Sequence, residues 1–319
     1  MRNADKRRKL AILGVDIETC IIPRFKNLSN YSMIEVFAPK GFGLENKEIS
    51  LIDGLSGGEI KIKSSEVFQE SSFDHILDYS KCQRLYAVKY SHHHNIILGP
   101  HEKNSDFVNQ NASIIFNFSL TPFCNKLLTQ LSIRDIFRKK GIRVLHIGSR
   151  QYNGVLNYID FPLKLFEATL YELEEWAEQM RRISQKSGAN VLLLGIPGGL
   201  CCPDEFNSSE LIQALYTLFK PTVTIANTPF CLQESEFDYL YNSIKTKYGI
   251  RVDIFNMSNI IVDWEKSDIH ANQYDYYTVP ADRIPDLFSK SKSQYCKYFS
   301  LYDIKQVEEM VDYIEKIIT

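Results

Sequence analysis

The stretch Val191–Asp204, reading Val-Leu-Leu-Leu-Gly-Ile-Pro-Gly-Gly-Leu-Cys-Cys-Pro-Asp, constrains the fold more than any other part of the chain. An unbroken apolar run closed by turn formers predicts a strand buried on both faces, as in a parallel sheet covered by helices. The Gly195–Gly199 run leaves that strand at its carboxyl end, where open α/β folds bind ligands. Gly198 and Gly199 would let backbone N–H groups approach a ligand without an intervening Cβ.

The surrounding sequence supports the same architecture. Ala112 to Phe118 is an apolar strand, Ser119–Phe123 a loop, and Cys124 to Lys140 a helix capped by Gly141. Arg143 to Ile147 is the next strand, which completes a βαβ unit. Helical spacing of Phe166, Leu170, Leu173, Trp176, Ala177, Met180 and Ile183 predicts a long helix from about Pro162 to Lys186, ended by Gly188. Its carboxylates Glu172, Glu174, Glu175 and Glu178 fall mostly on the solvated side. Further helices are predicted over 208–219, 234–248 and 302–318, with Ile304 among the inner positions of the last. Strands are predicted over 222–227 and 251–255, with a further apolar stretch at 260–262.

At 319 residues the chain exceeds the size at which one core usually stops growing, so two domains are expected. The first, residues 1–110, reads as a small Rossmann-like domain. Strands are predicted at Lys9–Val15, Met33–Ala38, Glu59–Lys63 and Arg84–Tyr90, with short helices at Phe73–Ser80 and Lys103–Asn109. The Pro39-Lys40-Gly41-Phe42-Gly43-Leu44 turn has two glycines of a dinucleotide loop but lacks the third and the helix after it. The second domain, residues 111–319, is a larger, mainly parallel-sheet α/β domain.

Charge and cysteine usage exclude several function classes. The formal net charge of -2 gives no general attraction to nucleic acid or anionic membrane. No apolar run approaches the ~20 residues a membrane-spanning helix needs. The basic start (Arg2, Lys6, Arg7, Arg8, Lys9) is followed by Asp16 and Glu18 rather than a signal-peptide core, so a cytoplasmic protein is expected. Seven scattered cysteines without a CxxC pair favour free thiols over disulfides or structural zinc. His92 and His94 would share one face of an extended segment, but Glu102 is the one nearby carboxylate, and no metal site is expected.

Two loops carry the candidate chemistry. If their strands are neighbours, Ser119–Lys126 and Gly195–Asp204 lie side by side. The ligand-binding candidates are Ser119, Thr121, Asn125 and Lys126 on the first, and Gly198, Gly199 and Asp204 on the second. The layout resembles a P-loop domain of the dethiobiotin-synthetase-like branch, with Asn125-Lys126-Leu127 standing where Gly-Lys-Thr would. Ser119, Phe123 and Asn125 replace the phosphate-cradling glycines. Leu127 replaces the magnesium-holding hydroxyl, and Leu194 the strand-end carboxylate. Lys126 at a helix amino terminus still suits an anion. A second enzymatic option is a thiol nucleophile at Cys201 or Cys202 activated by His146.

Several phrases taken in order resemble the peptide maturation system proteins of modified-peptide natural-product clusters. They are Pro39–Gly43, Cys124-Asn125-Lys126, Ile147-Gly148-Ser149-Arg150, Gly195–Gly199, and Tyr248-Gly249 through Val252-Asp253 and Phe255-Asn256 to Ser258-Asn259. The family's glycines before Cys-Asn-Lys stand here as Leu-Thr-Pro-Phe. The resemblance implies an accessory cytoplasmic role beside a precursor peptide and a radical S-adenosylmethionine maturase, with no catalytic residues attached. The expected function is a binding or scaffolding component that holds a small anionic ligand. The alternative is an ATP-dependent ligase-like enzyme acting on the peptide or a small carboxylate.

Overall fold

The computed structural model describes residues 8–55, 57, 59–78, 84–87, 112–121, 124–201, 208–230, 234–268, 273–279 and 295–318. The chain divides into two units, residues 1–101 with 152–158, and residues 102–151 with 159–319.

In the first unit the strands are β1 (Arg8–Leu13), β2 (Tyr31–Ala38), β3 (Lys63–Ser64), β4 (His75–Asp78) and β5 (Arg84–Ala87), in the sheet order β3-β2-β1-β4-β5. All neighbours run parallel except β4 and β5. Helix α1 (Ile17–Arg24) starts in a reciprocal capping box. The Asp16 carboxylate accepts from the Thr19 N–H at 2.7 Å, and the Thr19 hydroxyl accepts from the Asp16 N–H at 2.8 Å. Arg24, at the end of α1, clamps Asp53 at the end of α2 (Ser50–Asp53) through an ion pair of 2.6 Å whose carboxylate is fully buried. Burial pushes the Asp53 carboxyl up, against the opposing pull of Arg24.

Two sequence expectations in this unit are corrected. The stretch 73–80 holds strand β4 rather than a helix. His75, Ile76, Leu77 and Asp78 are all buried and pair in register with Leu10–Leu13, so the short apolar run is a strand covered on both faces. The strand expected over 59–63 shrinks to an isolated bridge between Lys61 and Glu48, followed by β3. The segment expected as a helix at 103–109 and the His92–His94 triplet lie outside the described residues.

The second unit begins with β6 (Ser113–Ser119), α3 (Lys126–Lys139) and β7 (Val144–Gly148). Residues 152–158, with the single-turn α4 (Asn153–Leu156), belong to the first unit. There follow β8 (Ile159–Asp160), α5 (Leu170–Ser187), β9 (Val191–Gly195), α6 (Ser208–Phe219), β10 (Val223–Thr228), α7 (Glu234–Tyr248), β11 (Ile254–Met257), β12 (Ile260–Asp268), β13 (Gln273–Thr278), β14 (Lys297–Ser300) and α8 (Ile304–Ile318). Seven strands form one sheet in the order β14-β11-β10-β6-β9-β7-β8, and every neighbouring pair is parallel. Strands β12 and β13 make a separate antiparallel hairpin that periodicity did not predict.

Alternation along the strands gives the sheet two different faces. Phe116, Phe118, Leu192, Leu194, Ala226 and Phe255 join one apolar cluster with Trp176 and Met180 of α5, Ile212 and Phe219 of α6, and Phe237 of α7. Helices α3 and α8 cover the other face. There the carboxyl half of the strands turns polar, with Asn117, His146, Asn227 and Asn256 all buried.

The long helix expected from 162 begins only at Leu170. Residues 163–167 form a 3-10 helix, and Thr169 caps α5 with Glu172. Glu172 Oε2 accepts the Thr169 N–H at 2.7 Å, so the Thr-Leu-Tyr-Glu phrase starts the helix here. Leu170, expected inside, is consequently exposed, as is Ile304 at the first position of α8. Among the described residues no helix is long and apolar enough to cross a membrane.

Candidate functional site

The carboxyl edge of the seven-stranded sheet is where the two candidate loops meet. Strands β6 and β9 are direct neighbours, with Asn117 opposite Gly195, so the loops leaving them run side by side. The second loop hangs on the first. The Leu200 N–H donates to the Ser119 carbonyl and the Cys201 N–H to the Leu120 carbonyl, both at 2.8 Å. Gly199 permits this approach, because a Cβ there would meet the Thr121 carbonyl carbon at 2.9 Å and the Leu120 oxygen at 3.1 Å. Its N–H and carbonyl both bond the buried Ser208 hydroxyl, at 3.3 and 2.8 Å, which fastens the loop to the start of α6.

Gly198, in the left-handed region at φ 78°, turns its carbonyl toward the first loop. That oxygen accepts from the Ser119 hydroxyl at 3.0 Å and from the Lys126 ammonium. Ser119, Lys126, Gly198 and Gly199 thus come together, and Thr121 lies beside them with its hydroxyl 3.0 Å from the buried Cys124 sulfur. Asp204 and Cys202 lie outside the described residues. The expectation was that Gly199 exposes an N–H for a ligand, whereas here it lets one loop backbone pack on another.

Asn125 stands where the sequence resemblance expects a glycine, and its backbone shows how it fits there. It adopts φ 51°, ψ 36°, the left-handed conformation in which asparagine is the most accepted non-glycine residue. Its side chain makes no cap bond to α3. Instead Nδ2 donates to Asn259 Oδ1 at 3.2 Å and to the Tyr302 hydroxyl. The first N–H groups of α3 therefore lack a side-chain cap from the residue that ordinarily provides one, which leaves the positive end of the helix dipole for an anion.

Beneath the first turn of α3 lies a layer of amides that the sequence reading missed. Gln130 Nε2 donates to Asn117 Oδ1 at 3.1 Å and to Ser149 Oγ at 3.2 Å. With both donors spent, Gln130 Oε1 must accept from His146 Nε2, 2.9 Å away, which fixes the imidazole as its Nε2–H tautomer. Burial holds the His146 imidazole well below the ordinary histidine range, assisted by the nearby Arg134 charge, so it stays neutral. Cys201, the thiol considered as its partner, is exposed. A Cβ on Gly195 would lie 2.2 Å from Gln130 Nε2, so a larger residue there would push the Gln130 amide out of this layer.

A second set links three elements. Thr129 Oγ1 donates to Asn227 Oδ1 at 2.5 Å, and Asn256 Nδ2 donates to Thr129 Oγ1 at 2.7 Å and to Asn227 Oδ1 at 3.0 Å. Three atoms of the strand ends, Asn117 Nδ2, Thr228 Oγ1 and Asn256 Oδ1, are buried without a hydrogen-bond partner among the described residues. A signal for this layer was present in sequence. Phe-Asn-Phe, Ala-Asn-Thr and Phe-Asn-Met each place an asparagine near the end of an otherwise apolar strand. The ends of β6, β9, β10 and β11 therefore present amides, hydroxyls and a glycine where metal-dependent phosphate chemistry needs carboxylates. Among the described residues no group of three or more His, Cys, Asp and Glu could hold a metal ion.

No protein-family model and no curated protein matches the sequence. Among solved structures, a DUF1611 family protein from Anabaena variabilis aligns over 79% of this chain and 88% of its own at 12% identity, with a TM-score of 0.48. Chloroplast FtsY from Physcomitrella patens aligns over 48% of this chain at 13% identity and a TM-score of 0.32. The signal recognition particle receptor FtsY from Elizabethkingia anophelis, in complex with GDP, aligns over 51% at 10% identity and a TM-score of 0.31. The chain spans 51% and 53%, about half, of those two FtsY chains. Likenesses this distant carry no functional argument.

Proposed function

We propose that the protein is an accessory, cytoplasmic binding component of a ribosomal peptide maturation system. In this reading the second unit holds a small anionic ligand at the carboxyl edge of its sheet, around Lys126 and the amino terminus of α3. The observation that carries it is the meeting of the Lys126 ammonium and the Ser119 hydroxyl on the Gly198 carbonyl, beside a helix start without a side-chain cap. An anion arriving there gains a cation and backbone N–H donors together. The amide-rich strand ends favour binding over magnesium-dependent transfer.

The proposed partners are a precursor peptide and a radical S-adenosylmethionine maturase, and they rest on the ordered phrases that resemble the peptide maturation proteins. Biolayer interferometry of the protein against a precursor peptide and a radical S-adenosylmethionine maturase of such a system tests the role. Saturable binding to at least one, with a Kd of about 10 µM or tighter, is the expected result. No binding to either, alone or mixed, sinks the accessory reading.

A further inference from the structure

The opposite, amino-terminal end of the seven-stranded sheet carries a cavity of about 280 Å³, between the carboxyl ends of α5 and α6 and the starts of β6 and β9. Ile114, Leu192 and Phe219 give it an apolar floor, while Arg181, Ser184, Gln185 and Lys220 supply its polar side chains. No carboxylate occurs among the described residues that line it. At ~30 Å³ per water the space equals roughly nine waters, which places it at the small end of ligand pockets.

The polar groups are arranged unlike those of an ordinary helix–sheet junction. Ser184 is 2% exposed and its hydroxyl has no hydrogen-bond partner among the described residues, although a helical serine commonly bonds the carbonyl one turn back. A buried hydroxyl left in this state is a cost to the fold that a ligand acceptor would remove. Arg181 is held in place, with its guanidinium 5.4 Å above the Phe219 ring and Nη2 donating to the Leu218 carbonyl. It thereby offsets the negative end of α6, while Glu178, 3.6 Å away, draws part of its charge.

Lys220 completes the set. It stands just past α6 at φ 48°, a left-handed position where glycine is the unstrained choice. Its ammonium has no ion-pair or hydrogen-bond partner among the described residues. A cation at the rim without a partner among the described residues, a second cation already fixed, a hydroxyl in need of an acceptor and an apolar floor are complementary to one ligand type.

We propose that this cavity binds a small monocarboxylate with a compact apolar body. Its body would rest on Ile114, Leu192 and Phe219, and its carboxylate would pair with Lys220 and accept from Ser184. This site is separate from Lys126 and does not depend on the proposed function. Octanoate serves as the probe, with octanol as its uncharged counterpart, titrated into the full-length protein carrying labelled Ile and Leu methyl groups. Saturable octanoate binding should shift the Ile114 and Leu192 methyl resonances, and octanol should bind roughly five-fold more weakly, the loss of one partly exposed charge pair. Lys220→Gln should bring octanoate down to the octanol level. Ser184→Ala should weaken octanoate about three-fold or more yet raise the melting temperature of the ligand-free protein, since it removes an unpaired buried hydroxyl. The proposal is overturned by no saturation at about 10 mM octanoate, by equal affinity for octanol, or by shifts that leave Ile114 and Leu192 untouched.

Discussion

Replacing Gly199 by alanine tests the packing of the two loops most sharply. The new Cβ would stand 2.9 Å and 3.0 Å from the carbonyl carbon and Cα of Thr121, and 3.1 Å from the Leu120 oxygen. All three are backbone atoms, so no side-chain rotation relieves the contact. The loops must separate, and the two 2.8 Å bonds from Leu200 and Cys201 lengthen with them. Overpacking costs about 1–3 kcal/mol, and each weakened backbone bond adds up to ~1 kcal/mol, so a loss of about 2–4 kcal/mol is expected. For a unit of this size that lowers Tm by roughly 5–15 °C. Urea unfolding followed by tryptophan fluorescence reads the change, since Trp176 is buried in the same unit, which also holds Trp264. Gly141→Ala is the control. Gly141 has φ 77° and nothing within 4 Å of an added Cβ, so alanine there meets only conformational strain of about 1 kcal/mol. Equal losses in the two variants would refute the reasoning.

Three further outcomes follow from the same geometry. Asn125→Gly keeps the left-handed backbone but loses the bonds to Asn259 and Tyr302, costing about 1–2 kcal/mol; Asn125→Ala should cost ~1 kcal/mol more, and the reverse order in urea melts would contradict the account. His146 has a depressed folded pKa, so the unfolded chain takes the proton first. Its stabilisation is present above about pH 6.5 and is lost as pH falls below that, at up to ~1.4 kcal/mol per pH unit. His146→Gln should flatten that slope in urea midpoints measured from pH 7 to 5. Arg24→Met strands the fully buried Asp53 carboxylate and should destabilise the first unit by ~3 kcal/mol at pH 8. Because Asp53 is already pushed up, its folded pKa lies above the unfolded one. The penalty should therefore grow as pH rises and shrink toward pH 4, and a pH-independent loss would count against it.

Sequence periodicity located the parallel sheet well because its signals are local. Val191–Gly195 and Ser113–Ser119 are apolar runs with turn formers after them, and α6 and α7 begin and end at the expected residues 208–219 and 234–248. The errors arose where local and tertiary signals compete. A helical stripe read straight through Thr169, although the Thr-x-x-Glu phrase marks a helix start there. The four residues of β4 are too few for periodicity to separate strand from helix, and pairing with β1 decides the matter. In the candidate site, Ser119, Lys126, Gly198 and Gly199 could be brought together on paper because two loops after adjacent parallel strands must neighbour each other. The amide layer of Asn117, Gln130, Asn227 and Asn256 was not found, since its bonds join residues up to 127 positions apart, as between Thr129 and Asn256. Only the repeated placement of asparagine at apolar strand ends hinted at it.

The central claim is that Lys126 and the start of α3 hold an anion without magnesium-dependent chemistry. Calorimetric titration of pyrophosphate and of ATP, each with and without magnesium, into the wild-type protein and Lys126→Ala tests it directly. The account predicts anion binding that magnesium does not strengthen, that falls at least about ten-fold (~1.4 kcal/mol) in Lys126→Ala, and that is accompanied by no ATP turnover. Magnesium-enhanced ATP binding with hydrolysis, or binding unchanged by Lys126→Ala, would contradict it.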